Sequence, residues 1–197
     1  MKLYIAALAA MLPGLAAAPD TPKGNAFGNP NAPITIEVFS DFQCPACKRF
    51  HDEELPLIVK DYVTPGKVYL VYRYYPLPQH TYGRKTAEIA CACAQLGKYE
   101  AVANALFAYQ VSWSQDGKVD QTVATVLTPA EQKKVTELVK DPSVQQVIER
   151  DLAEGREVPV SSTPTLLVTF KSQRFRIFGD GLFNYKWVKA TFDDFLK

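Results

Sequence analysis

Cys44-Pro45-Ala46-Cys47 sets two thiols three residues apart, a spacing that suits thiol–disulfide exchange or the binding of a soft metal. The chemistry depends on what holds them. The preceding run Ile34-Thr35-Ile36-Glu37-Val38-Phe39 is β-branched and alternating, as a buried strand is, and Ser40-Asp41-Phe42-Gln43 turns the chain toward Lys48-Arg49-Phe50-His51. Pro45 then falls in a first helical turn, where its missing N–H costs nothing. Cys44 is thereby expected to face unpaired backbone N–H groups and the positive end of a helix dipole, which favour thiolate, the reactive form. A second unusual segment is Thr163-Pro164 at the mouth of the apolar run Thr165-Leu166-Leu167-Val168, where proline fits as a strand start, an edge or a cis bond.

The elements that must position these residues follow from period and punctuation. Pro65-Gly66 leads into a second strand, Val68 to Tyr75, closed by Pro76 and Pro78. From about Tyr82 to Glu157 the period is helical. One helix runs through Ala87, Ala90, Cys91 and Ala94 to Gly97, and another through Val102, Ala105, Leu106 and Tyr109. Thr128-Pro129-Ala130-Glu131 reads as a capping box, and Asp141-Pro142 opens a helix that Gly155 is expected to end. A strand after Pro164, another at Arg174 to Phe178 and a terminal helix from about Asn184 to Leu196 complete the order.

In that order the chain resembles the DsbA-like thiol–disulfide oxidoreductases. The matching pieces are Val38 to Cys47, Arg73-Tyr74-Tyr75-Pro76-Leu77, Leu106-Phe107-Ala108-Tyr109-Gln110 with Trp113, and Ser162-Thr163-Pro164-Thr165. The resemblance implies an α/β thioredoxin-like fold over residues 33–197 with an inserted helical subdomain at about 79–157. It implies that Cys44 and Cys47 cycle between dithiol and disulfide, Cys44 as exposed nucleophile and Cys47 as buried resolving thiol. Thr163-Pro164 is then a cis bond beside Cys44, with Thr163 backbone groups offered to a bound peptide. Glu37 corresponds to the family's buried carboxylate near the resolving cysteine, where desolvation suits it to relay protons; the alternative is that it points to solvent from an edge strand. Ala46 departs from the histidine that oxidants of this family often carry between the cysteines.

The implied function is formation or exchange of disulfides in cysteine-containing exported proteins, with a membrane quinone-linked reoxidant and no cofactor beyond the protein's own cysteines. Reductase or isomerase work is the alternative within that chemistry; a copper-binding or holdase module is the alternative outside it. Cys91 and Cys93 bear on the latter. Two residues apart on a helix, they point about 200° apart, so they read as small packing residues. A strained disulfide, an intermolecular bridge or a copper site shared with Cys44 and Cys47 are the other uses of such thiols. His51 is expected to face solvent, and His80 to cap a helix or lie on the surface.

Composition bounds the rest. The 197 residues, 47% hydrophobic and 12% aromatic, suffice for one domain with a full core. A formal net charge of +1 and the absence of long basic runs make nucleic acid an unsuitable partner. No dimerisation domain is visible and a monomer is expected. Residues 1–18, Met1-Lys2 and an apolar stretch ending in Ala16-Ala17-Ala18, read as a secretory signal peptide, with cleavage after Ala16 or Ala18. The following residues, 19–32, read as a flexible lead-in. An oxidising periplasmic or otherwise extracytoplasmic location is expected.

Overall fold

Alternation along the central strand organises the molecule. The computed structural model describes residues 24–197, so the leader read at residues 1–18 lies outside the described residues. Five strands form one sheet in the order β1-β3-β2-β4-β5: β1 Ala26–Phe27, β2 Ile34–Ser40, β3 Val68–Tyr74, β4 Thr165–Phe170 and β5 Gln173–Phe178. β2 and β3 run parallel, and the other neighbours run antiparallel. Strand β1 falls within the segment read as a flexible lead-in; two residues are too short to show a period, and pairing with β3 supplies what local sequence does not.

Side chains of Ile34, Ile36 and Val38, with Val68, Leu70, Tyr72, Leu166 and Val168, enter the principal core. The other face carries Phe39 and Leu167, which pack with Val158 and Val160 in a smaller cluster.

Between β2 and β3 a helix starts at Pro45. It alternates α segments, α1 Pro45–Arg49 and α2 Leu55–Ile58, with π-helical segments Phe50–Glu54 and Val59–Val63. Pro56, which has no N–H for the helical ladder, sits in the first turn after the first π segment. Six helices stand between β3 and β4: α3 Gly83–Gln95, α4 Tyr99–Ala108, α5 Gln110–Asp116, α6 Val119–Ala124, α7 Pro129–Leu138 and α8 Pro142–Glu157. The capping box forms at α7, where the Glu131 N–H donates to Thr128 Oγ1 at 3.3 Å and the Thr128 N–H donates to Glu131 Oε2 at 2.8 Å. Gly155 does not end α8. It lies in the last turn of α8, which runs on to Glu157, and a Cβ there would come within 2.2 Å of the Tyr75 ring. Helix α9, Tyr185–Phe195, begins behind Asn184 as N-cap and packs Val188 and Phe192 into the core. Among the described residues no helix is long and apolar enough to cross a membrane.

Candidate active site

Cys44 is the N-cap of α1, with extended backbone (φ −76°, ψ 122°) and Pro45 in the first turn. Its Sγ lies 3.3 Å from the carbonyl oxygen of Thr163, 119 residues away, across a Thr163–Pro164 bond that is cis. This contact leaves Cys44 only 7% exposed, less than a helix start alone suggests, while Cys47 is 1% exposed. Both are thiols in this structure.

The two sulfurs are electrostatically unequal. Hydrogen bonding from the Cys47 thiol lowers the Cys44 pKa to about 5 against the upward push of burial, with the Thr163 hydroxyl and the N–H groups of Cys47 and Ala46 adding to the effect. Burial pushes the Cys47 thiol well up, and the neighbouring Cys44 raises it further. One carbonyl and one hydroxyl of Thr163 therefore act in opposite senses. The carbonyl accepts from the Cys44 thiol, whereas the hydroxyl, buried with no hydrogen-bond partner in the thiol form, favours the thiolate.

The turn carrying Cys44 is tied to the helical insert at three points. Gln110 donates through Nε2 to the carbonyls of Phe42 at 2.7 Å and Cys44 at 2.9 Å. Gln43 Oε1 accepts from the Tyr82 N–H at 2.7 Å. The third tie is Asp41, whose carboxylate is buried and accepts from the Leu77 N–H at 2.8 Å and meets His80 Nδ1 at 2.7 Å. The backbone N–H of Asp41 points at Cys47 Sγ, 3.4 Å away. Sequence reasoning gave Asp41 no role and placed Gln110 only within a matched segment. An acidic side chain in the turn just before a cysteine is a signal that could have singled out Asp41, but its partners are set by topology.

The structure brings Cys44, Cys47, Thr163 and Pro164 together and leaves Glu37 apart. Glu37 is 2% exposed, so it does not point to solvent. It shares a face with Phe39, opposite to Val38 and the principal core. There it accepts from Arg73 Nε at 2.7 Å and from Arg174 at 3.3 Å, in a network that Asp151 and Glu154 complete. Burial pushes its pKa up against the pull of Arg73. The expectation of a carboxylate beside Cys47 at this position fails because strand alternation carries residue 37 to the far side of the sheet.

His51 also differs from expectation. It stacks on Phe107 at 4.6 Å between centroids and meets Asn104 Oδ1 at 2.9 Å, and this burial lowers its pKa. Cys91 and Cys93 are both buried in α3, and burial raises each thiol to about 12. Among the described residues no three His, Cys, Asp or Glu side chains converge as a metal site.

Comparison with known proteins agrees with the fold. A stretch of 41 residues is 42% identical to disulfide bond formation protein D of Bacillus subtilis (strain 168), covering 21% of this chain and 18% of that protein. The match thus spans about a fifth of the relative's length. The oxidised crystal structure of BdbD from Bacillus subtilis superposes with a TM-score of 0.73 at 21% identity, over 88% of this chain and 92% of that one. Wolbachia pipientis alpha-DsbA1 gives a TM-score of 0.70 at 18% identity, over 87% and 89%. The sequence model of the family described as Thioredoxin matches residues 20–173. With a cis proline facing a helix-capping thiol inside such a match, the chain belongs to the thioredoxin family.

Proposed function

We propose that this protein is a thiol–disulfide oxidoreductase that forms or exchanges disulfides in exported proteins through Cys44 and Cys47. The observation that carries this reading is the inequality of the two thiols: Cys44 held near pKa 5 at a helix N-terminus, and Cys47 buried and held high. In the oxidised protein a substrate thiolate attacks Cys44 Sγ and breaks the Cys44–Cys47 bond, and Cys47 leaves as a thiolate that takes a proton. A second substrate thiolate then attacks the substrate sulfur of the mixed disulfide and expels Cys44, a good leaving group because its thiolate is stabilised. The substrate leaves oxidised and the protein reduced. The Thr163 carbonyl offers an acceptor to the backbone N–H of an extended substrate chain beside Cys44. Cys44, Cys47, Thr163 and Pro164 are the site in this reading, and Glu37 is a structural ion-pair residue.

Stabilising the Cys44 thiolate stabilises the reduced protein, so the couple is poised toward oxidation of its partners. The apolar stretch read as a leader at residues 1–18, with a Bacillus relative named for disulfide bond formation, is what supports placing this chemistry in an oxidising, extracytoplasmic setting, where a membrane quinone-linked partner would restore the disulfide. The test is the equilibrium potential of the Cys44–Cys47 couple against glutathione. A value toward about −120 mV is expected, and one near about −270 mV would instead mark a reductant.

A further inference from the structure

Cys47 carries negative charge at one point in every exchange cycle, either as it leaves Cys44 or as it attacks it. In a site 1% exposed, such a charge needs a donor fixed in place. The Asp41 backbone N–H, 3.4 Å from Cys47 Sγ, is such a donor. The side chain of the same residue is fastened at both oxygens. The Asp41 carboxylate, with no exposed surface, accepts from Gln43 N–H at 2.8 Å on one oxygen, and from Leu77 N–H and His80 Nδ1 at 2.8 and 2.7 Å on the other. Of these three partners, two are backbone groups. His80 alone is a side chain, and it is 19% exposed.

His80 is in turn firmly held. Its N–H donates to the Leu77 carbonyl at 3.0 Å, and its carbonyl accepts from Gly83 N–H at 3.0 Å at the start of α3. A Cβ on Gly83 would lie 3.1 Å from both Asp41 carboxylate oxygens, so the first turn of that helix closes against the carboxylate. The residues linking β3 to α3 thus form a socket around Asp41. No comparable contact links Glu37 to the sulfurs, since its partners are Arg73 and Arg174 on the other face.

We propose that His80 is a positioning residue for the resolving thiol: through the Asp41 carboxylate it fixes the Asp41 N–H on Cys47 Sγ and so speeds the steps in which Cys47 attacks or leaves. This inference rests on the exchange reading above. The step that isolates it is intramolecular. With glutathione bonded to Cys44, the Cys47 thiolate attacks Cys44 Sγ, the Cys44–Cys47 bond forms, the bond from Cys44 to the glutathione sulfur breaks, and glutathione leaves as a thiolate that takes a proton. The groups that hold the Cys44 thiolate, the Cys47 thiol first and then the Thr163 hydroxyl and the N–H groups of Cys47 and Ala46, do not include the Asp41 carboxylate or His80, so Cys44 alkylation serves as the control for a general disturbance of the site.

The experiment compares wild type, His80→Ala and His80→Gln, each glutathionylated at Cys44, for the rate of glutathione release, together with the rate of Cys44 alkylation in the reduced proteins. Loss of one hydrogen bond to a buried carboxylate is expected to slow release about tenfold in His80→Ala, with Cys44 alkylation unchanged. His80→Gln keeps an N–H donor of similar reach and is expected to recover most of the rate, and it carries the test should the alanine variant fail to fold. Equal release rates in all three proteins, an equal fall in release and alkylation, or a glutamine variant that folds yet is slow would each overturn the proposal. Wild-type protein that fails to release glutathione at all would overturn the exchange reading itself, which separates the two claims.

Discussion

At the scale of single residues, Thr163 does more than precede a proline. Its carbonyl meets the Cys44 thiol, and its hydroxyl, buried and unpartnered in the thiol form, is among the groups that pull Cys44 down. Thr163→Val removes the hydroxyl at nearly constant volume and leaves the carbonyl in place. We expect the Cys44 pKa to rise above its wild-type value of about 5, so that the rate of alkylation at pH 4, below both values, falls by up to about tenfold for each pKa unit. An unchanged rate at that pH would show that the hydroxyl contributes nothing. The thiols and the proline were readable from their spacing. Asp41 and His80 were not, because 39 residues separate them and only the return of the chain after β3 joins them.

Among the elements, α8 depends on one missing side chain. Gly155 lies in the last turn of the helix, two residues before its end, and glycine within a helix ordinarily costs about 0.5–1 kcal/mol relative to alanine. Here the Tyr75 ring occupies the space of a Cβ, at 2.2 Å from where it would stand. Gly155→Ala is therefore expected to destabilise the protein by about 1–3 kcal/mol, by forcing Tyr75 or the helix to move, despite the better helix propensity of alanine. Urea denaturation checks this, and a stabilised variant would contradict it. The sequence reading of Gly155 as a helix stop weighed only propensity. A tertiary contact decides the matter, and no period along α8 reports it. Strand β2 shows the converse: its alternation was legible and assigned Glu37 to the face of Phe39, yet which face the helix bearing the thiols covers is settled only by packing.

The whole molecule divides its polar interior between two faces of one sheet. On one, Cys44 and Cys47 sit with the turn and the insert residues that grip it; on the other, Glu37, Arg73, Asp151, Glu154 and Arg174 form an ion-pair network tying the sheet to α8. The two are separate, so Glu37→Ala is expected to cost about 1.5–3 kcal/mol by removing one charged hydrogen-bond partner of buried Arg73, which keeps Asp151 and Glu154, while the Cys44 alkylation profile stays as in wild type. A shifted profile in a folded variant would restore Glu37 to the redox site. The order of β2 to β5 and of the longer helices was legible because each has its own period and stops; β1, α5 and α6 are too short for that, and the division between faces was not legible because it depends on which elements pack where. The central claim, that the fold makes one thiol a stable thiolate and keeps its partner protonated, is tested most directly by the pH dependence of alkylation of the reduced protein, with the modified residue identified by peptide mapping. Cys44 should be the residue modified, and its rate should rise with pH through a midpoint near 5, as the thiolate forms, and then level off while Cys47 stays unmodified. A midpoint near that of an ordinary thiol, about 8.5, or modification of Cys47 ahead of Cys44, would contradict the account.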